Sequence, residues 1–311
     1  MHPSPNRDMT VLVVSNATVD LSFELDRFPE PGETLIARSR MIDAGGKGLN
    51  QAIMASRAGA AVVYLAPLGD DPEAEFIRAR LAAERLSIDH LLCRKGPTDQ
   101  SIIYLDASGE NTIVSTAGMA KSLRAEEAEG CIDRLATTDV LLMQGNLTRA
   151  TTASCLRRAR GRGVRTMLNP APITFDYEDL WPLVDIAVVN AVEARILSGI
   201  ADPEAAARRL MAWGAGAVVV TLGPDGALAV EREACRAVPA PAVQVVDTAG
   251  AGDVFCGVLA AALAAGRTLL EAVPRAVTAA SLSVVRRGTS SAFPTEAELA
   301  NIDRIADPHQ A

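Results

Sequence analysis

Continuous apolar runs alternate along this chain with segments whose apolar residues recur every three to four positions. The runs at 10–15, 61–66, 140–143, 164–168, 186–189 and 217–222 are too short for anything but strands, and being mostly apolar they predict strands buried on both faces. Helical spacing marks 47–58, 72–85, 151–160, 193–198, 204–213, 252–265 and 270–285. Pro72 falls in the first turn of its segment, where a missing N–H is tolerated. Buried strands joined by helices predict an α/β fold: three layers, α/β/α, with a mostly parallel central sheet.

Two regions depart from that rhythm. Residues 19–25 and 34–40 are half polar and are separated by Pro29, Pro31 and Gly32, which mark a turn. Residues 102–105 and 112–115 flank a polar, glycine-containing turn at 107–111, a hairpin pattern; a second hairpin is expected around Gly226. The polar strands do not suit a buried parallel sheet. They predict a small separate sheet, a lid drawn from about 19–42 and 100–117, on a single domain spanning 1–311. Ligands of open parallel sheets bind outside the carboxyl ends of the strands, so the loops there carry the chemistry.

Composition narrows the partners. The chain has 311 residues, a net charge of −8 and a pI near 5.1, which argues against nucleic acid or an anionic membrane as a partner. No apolar run reaches the roughly 18 residues needed to cross a bilayer. Cys93, Cys131, Cys155, Cys235 and Cys256 are scattered and odd in number, so reduced thiols and a cytoplasmic location are expected. The first ten residues hold no apolar signal core. His2, His90 and His309 are too dispersed for a zinc or Ser–His site.

The segment 246–255, Val-Asp-Thr-Ala-Gly-Ala-Gly-Asp-Val-Phe, places two glycines and an aspartate at the start of a helical pattern. Unpaired N–H groups at a helix start cradle an anion. A carboxylate beside that cradle would repel phosphate, but is explained if it takes the proton from a group attacking phosphorus. The alternative is a first-turn carboxylate that only offsets the helix dipole. A second cluster, Gly45-Gly46-Lys47-Gly48-Leu49-Asn50, opens another helix. Lys47 and Asn50 share a face there, a cation and an amide suited to a polyhydroxylated ligand.

These two segments, in this order and separation, resemble the signatures of the ribokinase, or PfkB, group of carbohydrate kinases. Gly69-Asp70-Asp71, Asn169-Pro170-Ala171-Pro172, Asn190-x-x-Glu193 and Thr221-Leu222-Gly223-x-x-Gly226 add smaller matches, and the similarity runs from about residue 10 to 295. The resemblance implies ATP-dependent phosphorylation of a sugar hydroxyl. Asp253 would be the general base, with backbone amides of Ala249, Gly250, Ala251 and Gly252 as the anion hole. Asp20, Gly46, Lys47, Asn50 and Asn146 would bind the sugar. Asn190, Thr221, Gly223 and Gly226 would lie on the ATP side. Glu193 would hold Mg²⁺ through water, although Asn190 and Glu193 also fit a helix-capping box. Asp247 would serve a monovalent cation, K⁺. The family also implies a homodimer through the lid, with Ile102, Ile103, Ile113 and Val114 as its apolar positions.

Some positions depart from a ribose-specific pattern. Thr18 stands where ribokinases usually carry Asn, Gly145-Asn146 stands where they carry a glutamate, and Ala292 occupies the usual serine of the cation loop. Ribose or a related pentose or ketohexose remains the first expectation. A phosphosugar is the alternative; it would need extra cations in the pocket, and Arg38 and Arg40 lie on a candidate lid strand. A nucleoside would need an aromatic slot, and aromatic residues are few. A sensor without catalysis would have lost Asp253, which is present.

Overall fold

The computed structural model describes residues 10–107 and 110–306. The larger sheet contains β1 (Thr10–Val14), β4 (Ala61–Leu68), β5 (Leu91–Cys93), β8 (Val140–Gln144), β9 (Arg165–Asn169), β10 (Ile186–Asn190), β11 (Ala217–Thr221), β12 (Ala227–Val230) and β13 (Cys235–Val238). Its order is β13-β12-β11-β10-β9-β8-β1-β4-β5, parallel throughout except for β12 and β13. The smaller sheet, order β3-β2-β6-β7, contains β2 (Thr18–Glu24), β3 (Ser39–Gly45), β6 (Gln100–Leu105) and β7 (Asn111–Ser115). The helices are α1 (Lys47–Arg57), α2 (Pro72–Ala83), α3 (Gly118–Lys121), α4 (Ala125–Ile132), α5 (Arg149–Gly161), α6 (Ala191–Ser198), α7 (Pro203–Ala212), α8 (Ala251–Ala264), α9 (Leu269–Ser283) and α10 (Glu296–Ala306).

Alternation along the strands creates two cores. Val11 and Val13 face α1, α2, α8 and α9, while Leu12 and Val14 face α4, α5, α6 and α7. All four side chains are fully buried, which is why the strand reads as continuously apolar. The expected three-layer α/β/α arrangement is therefore present. Strand direction around β1 reverses the chain's progress across the sheet: β4 and β5 lie on one side and β8 to β13 on the other. This switch point opens a crevice at the carboxyl ends.

The lid differs in detail from its expected bounds. Residues 34–38 are not strand; β3 starts at Ser39 and continues through Gly45, a glycine expected to belong to the helix lead-in. Pairing decides this, because β3 follows β2 residue for residue from Glu24↔Ser39 to Thr18↔Gly45. Strands β5 and β13 and helices α3, α4 and α10 escaped the hydrophobic pattern. β5 is only three residues long, β13 is mostly exposed, and α4 buries only Ala128, Cys131 and Ile132 among its glutamates.

The closest helix crossing joins α1 to α8. A Cβ on Gly257 would lie 2.5 Å from the Gln51 carbonyl oxygen and 2.6 Å from Met54 Cβ. No rotamer relieves a clash with backbone, so Gly257→Val should lower stability by about 2–3 kcal/mol, read from a denaturant midpoint. Gly130→Ala, on α4 with open space around it, should raise stability by about 0.5–1 kcal/mol. Equal midpoints for Gly257→Val and wild type would refute the packing argument.

Candidate active site

Helix α8 begins at Gly250, whose φ of 76° lies in the left-handed region. A Cβ there would also come within 2.6 Å of the Phe293 ring, so backbone and packing both require glycine. In this turn Ala249 N–H donates to Asp247 Oδ1 at 2.9 Å, and Ala251 N–H makes a long 3.3 Å bond to Thr248 O. Among the described residues, the N–H groups of Gly250 and Gly252 find no acceptor, as expected at a helix start. One turn in, the buried Asp253 carboxylate accepts Asn50 Nδ2 on Oδ2 and Gln51 Nε2 on Oδ1, each at 3.0 Å. A carboxylate held by two amides beside open N–H groups can take a proton next to a bound anion.

The donors come from the first turns of α1. Gly46, with φ 93°, turns the chain from β3 into the helix. Gly45 has a different reason: a Cβ would sit 1.9 Å from Asp20 Oδ2. Asp20 is 5% exposed and receives Thr18 Oγ1 at 2.6 Å. Burial raises its carboxyl to about 6; hydrogen bonds from Thr18 and Ser101 oppose the rise, and the charges of Asp43 and Asp253 add to it. The half-buried Lys47 ammonium is held above its usual range chiefly by Asp253 and further by Glu193, against the pull of burial.

A cleft of about 870 Å³ brings these groups together. Asp20, Gly46, Lys47, Asn50, Asn146, Asn190, Ala249, Gly250, Gly252 and Asp253 all line it. Ala251, Glu193, Thr221, Gly223, Gly226 and Asp247 do not. Asn146 reaches the cleft because Gly145 lets its loop touch the next one: Gly145 N–H donates to Ala171 O at 3.1 Å, and a Cβ would lie 2.1 Å from Pro172 O. Asn190 and Glu193 form the capping box of α6, with Glu193 N–H to Asn190 Oδ1 at 2.8 Å and Asn190 N–H to Glu193 Oε2 at 2.9 Å. Thr221 stands beside Asn190 in register at the end of β11. Gly223 faces open space, whereas Gly226 packs against Val238 and Ala240 backbone in the β12–β13 hairpin. Asp247 accepts Gly288 N–H at 3.0 Å and borders a separate cavity of about 70 Å³.

Several lining residues escaped the sequence reading. Ser101, Ile103, Asn111, Ile113 and Ser115 come from the lid strands, and Lys121 ends α3. Strand alternation was the available signal, since every second residue of the hairpin faces inward. It also divides the four residues expected at a dimer face: Ile103 and Ile113 line the cleft, whereas Ile102 and Val114 lie on the opposite face. Arg38 and Arg40 do not line the cleft; Arg38 pairs with Asp26 at an exposed site. Gln51, Gln144 and Asn169 form a hydrogen-bonded set next to Asp253; Gln51 and Asn169 fall in segments that resemble the family's, but no sequence signal joined the three to the carboxylate.

Comparison with known proteins agrees with this geometry. Residues 9–296 match the model of the pfkB family carbohydrate kinases. A ribokinase of Haemophilus influenzae is 31% identical, with 93% of this chain and 96% of the relative covered. A deoxyribokinase of Salmonella typhi is also 31% identical, covering 92% and 96%. Among solved structures, ribokinase from Thermotoga maritima superimposes with a TM-score of 0.87 at 28% identity, over 95% of this chain and 98% of that one. Arabidopsis thaliana ribokinase, complexed with ribose and ATP, gives 0.83 at 25% identity over 95% and 98%. The α/β/α layers, the second sheet and the matched sequence together make this chain a member of the pfkB family, a sugar-phosphorylating, ATP-using kinase.

Proposed function

We propose that the cleft transfers the terminal phosphoryl group of ATP to a hydroxyl of a small unphosphorylated sugar, ribose or a related pentose or ketohexose. The observation that carries this reading is Asp253: a buried carboxylate, fixed by two amides, in one cleft with Asp20, Lys47, Asn50 and the free N–H groups of Gly250 and Gly252. Asp20 and Asn50 hold sugar hydroxyls. Asp253 accepts the proton of the attacking hydroxyl. The N–H groups of Gly250 and Gly252 and the Lys47 ammonium face charge on the transferred group. Phosphoryl transfer has a loose transition state, so positioning and neutralisation outweigh base strength. The small sheet closes the cleft through Ile103 and Ile113 and excludes water. The ribokinases and the deoxyribokinase among the relatives support a pentose. Asn146, an amide where ribokinases resemble one another in a carboxylate, leaves the pentose or ketohexose open.

Two cations fit oxygen donors here. Glu193 Oε2 is used by the α6 cap, while Oε1 is not part of it, so Glu193 would hold Mg²⁺ through water with Asn190 beside it. Each Asp247 oxygen accepts one amide, and the residue borders the 70 Å³ cavity; an acceptor placed there would suit a monovalent cation such as K⁺. Magnesium, when bound, neutralises triphosphate charge. A phosphosugar is the second reading, favoured by one observation: Lys121 lines the same cleft as Lys47 and adds a second cation to it.

The outer face of the lid carries Leu21, Phe23, Ile42, Ile102, Tyr104 and Val114, with Ile42 44% and Val114 62% exposed. Phe23 and Tyr104 lie 6.2 Å apart between ring centroids on that face. An apolar patch of this kind is an interaction surface, and we assign it to a homodimer.

Three outcomes are expected. ADP release with a panel of sugars and their phosphates should show turnover with a free pentose or ketohexose, and Asp253→Asn should lose about two to four orders of magnitude in kcat. Turnover confined to phosphorylated sugars would select the second reading. For Asp20 the sign follows from its raised pKa. The folded protein binds this proton up to pH about 6, whereas the unfolded chain releases it near 4, so the ionised carboxylate costs stability above pH 6 and nothing below both values. Asp20→Asn should therefore be more stable than wild type at pH 8, by up to about 2–3 kcal/mol, and equal to it near pH 3. In wild type, KM for the sugar should rise as pH falls through 6; a flat KM would remove Asp20 from the sugar site. Light scattering should give a dimer that Val114→Lys converts to monomer, and a wild-type monomer would refute the interface.

A further inference from the structure

A set of buried amides beneath Asp253 is unused by the mechanism above. Gln51 and Gln144 are 0% exposed and Asn169 is 8% exposed. Gln144 and Asn169 end the adjacent parallel strands β8 and β9 and are partners in register. Asn169 Nδ2 donates to the Val188 carbonyl at 2.9 Å. That backbone anchor fixes the orientation of the Asn169 amide, so its Oδ1 is an acceptor. Gln51 Nε2 donates to it at 3.3 Å and to Asp253 Oδ1 at 3.0 Å. At the other end of the same amide, Gln51 Oε1 accepts Gln144 Nε2 at 2.6 Å. A flipped Gln51 would set its oxygen against two oxygens and its NH₂ against another. The amide has one orientation, and that orientation points a donor at Asp253.

Asn50, the other donor to Asp253, is different. It lines the cleft and keeps a buried, unpartnered Oδ1, so it serves the sugar as well. Gln51 does not line the cleft. We propose that Gln51 is a positioning residue for phosphoryl transfer: locked by Gln144 and Asn169, it holds the Asp253 carboxylate in one orientation. The inference rests on the reading of Asp253 as the base. Asn50 remains as a second donor to the carboxylate, so losing Gln51 loosens the base without removing it.

The test is kcat and KM for Gln51→Leu and Gln144→Leu, measured with ATP and ribose, or with whichever panel sugar turns over fastest. For Gln51→Leu, kcat should fall about 10- to 100-fold while KM for the sugar changes less than about twofold. Gln144→Leu, which touches neither Asp253 nor the cleft, should lower kcat in the same way by less. It carries the test alone if Gln51→Leu does not fold. An unchanged kcat, or a loss confined to KM, would overturn the role of Gln51. An inactive Asp253→Asn alongside an unaffected Gln51→Leu defeats only this inference, whereas a fully active Asp253→Asn defeats the base assignment beneath it.

Discussion

The close crossing of α1 over α8 is the constraint on which the site depends. Asn50 and Gln51 are separated from Asp253 by 203 and 202 residues along the chain, yet each donates to its carboxylate at 3.0 Å. Side chains this short meet only if the two helix backbones nearly touch, and Gly257 permits that approach. The same contact aims both helix starts at one place. From α1 come Gly46, Lys47 and Asn50, and from α8 come Gly250, Gly252 and Asp253. One glycine thus joins the helix start that carries Lys47 and Asn50 to the one that carries Asp253.

The sheet supplies the second constraint. Parallel strands present their carboxyl ends on one edge, and the side chains there are amides: Gln144, Asn169 and Asn190 at strand ends, with Asn146 just beyond. Amides both donate and accept, so they can pair with one another, orient a carboxylate, or meet a ligand without adding charge. Some are left incomplete, Gln144 Oε1 beneath the cleft as well as two oxygens beside it. Asn50 Oδ1 and Asn146 Oδ1 are buried without a partner, and such atoms cost stability until something binds. Asp20 is a further cost of the same kind, a carboxylate held where burial disfavours its charge. The surrounding core, apolar on both faces of the sheet, is what sustains these expenses.

The lid shows how a single strand pair serves two purposes. Its inward residues, among them Asp20, Ser101, Ile103 and Ile113, complete the cleft. Its outward residues, among them Phe23, Tyr104 and Val114, form an apolar face. Alternation with a period of two makes this division unavoidable. It also couples the two faces mechanically, since any contact that orders one orders the other.

The order of elements, the three layers and the pair of glycine segments were legible in the residues themselves. Buried strands must be apolar throughout, helices must repeat near every fourth residue, and a helix start that approaches an anion must be free of side chains. Those are local requirements, so they leave local marks. The exact lid register and the presence of Lys121 in the cleft left none, and strand alternation marked the two halves of the hairpin without showing which of them faces inward. They depend on which strand pairs with which, and pairing is a property of partners distant in sequence. Least legible was the joint role of Gln51, Gln144 and Asn169: two of them fall in segments that resemble the family's, yet nothing local links the three until the sheet and the α1–α8 crossing bring them within hydrogen-bond reach. The sequence alone determined that the chemistry of a carboxylate beside open amides was available; only the tertiary structure decided which groups hold that carboxylate still, because orientation is conferred by neighbours and not by the residue itself.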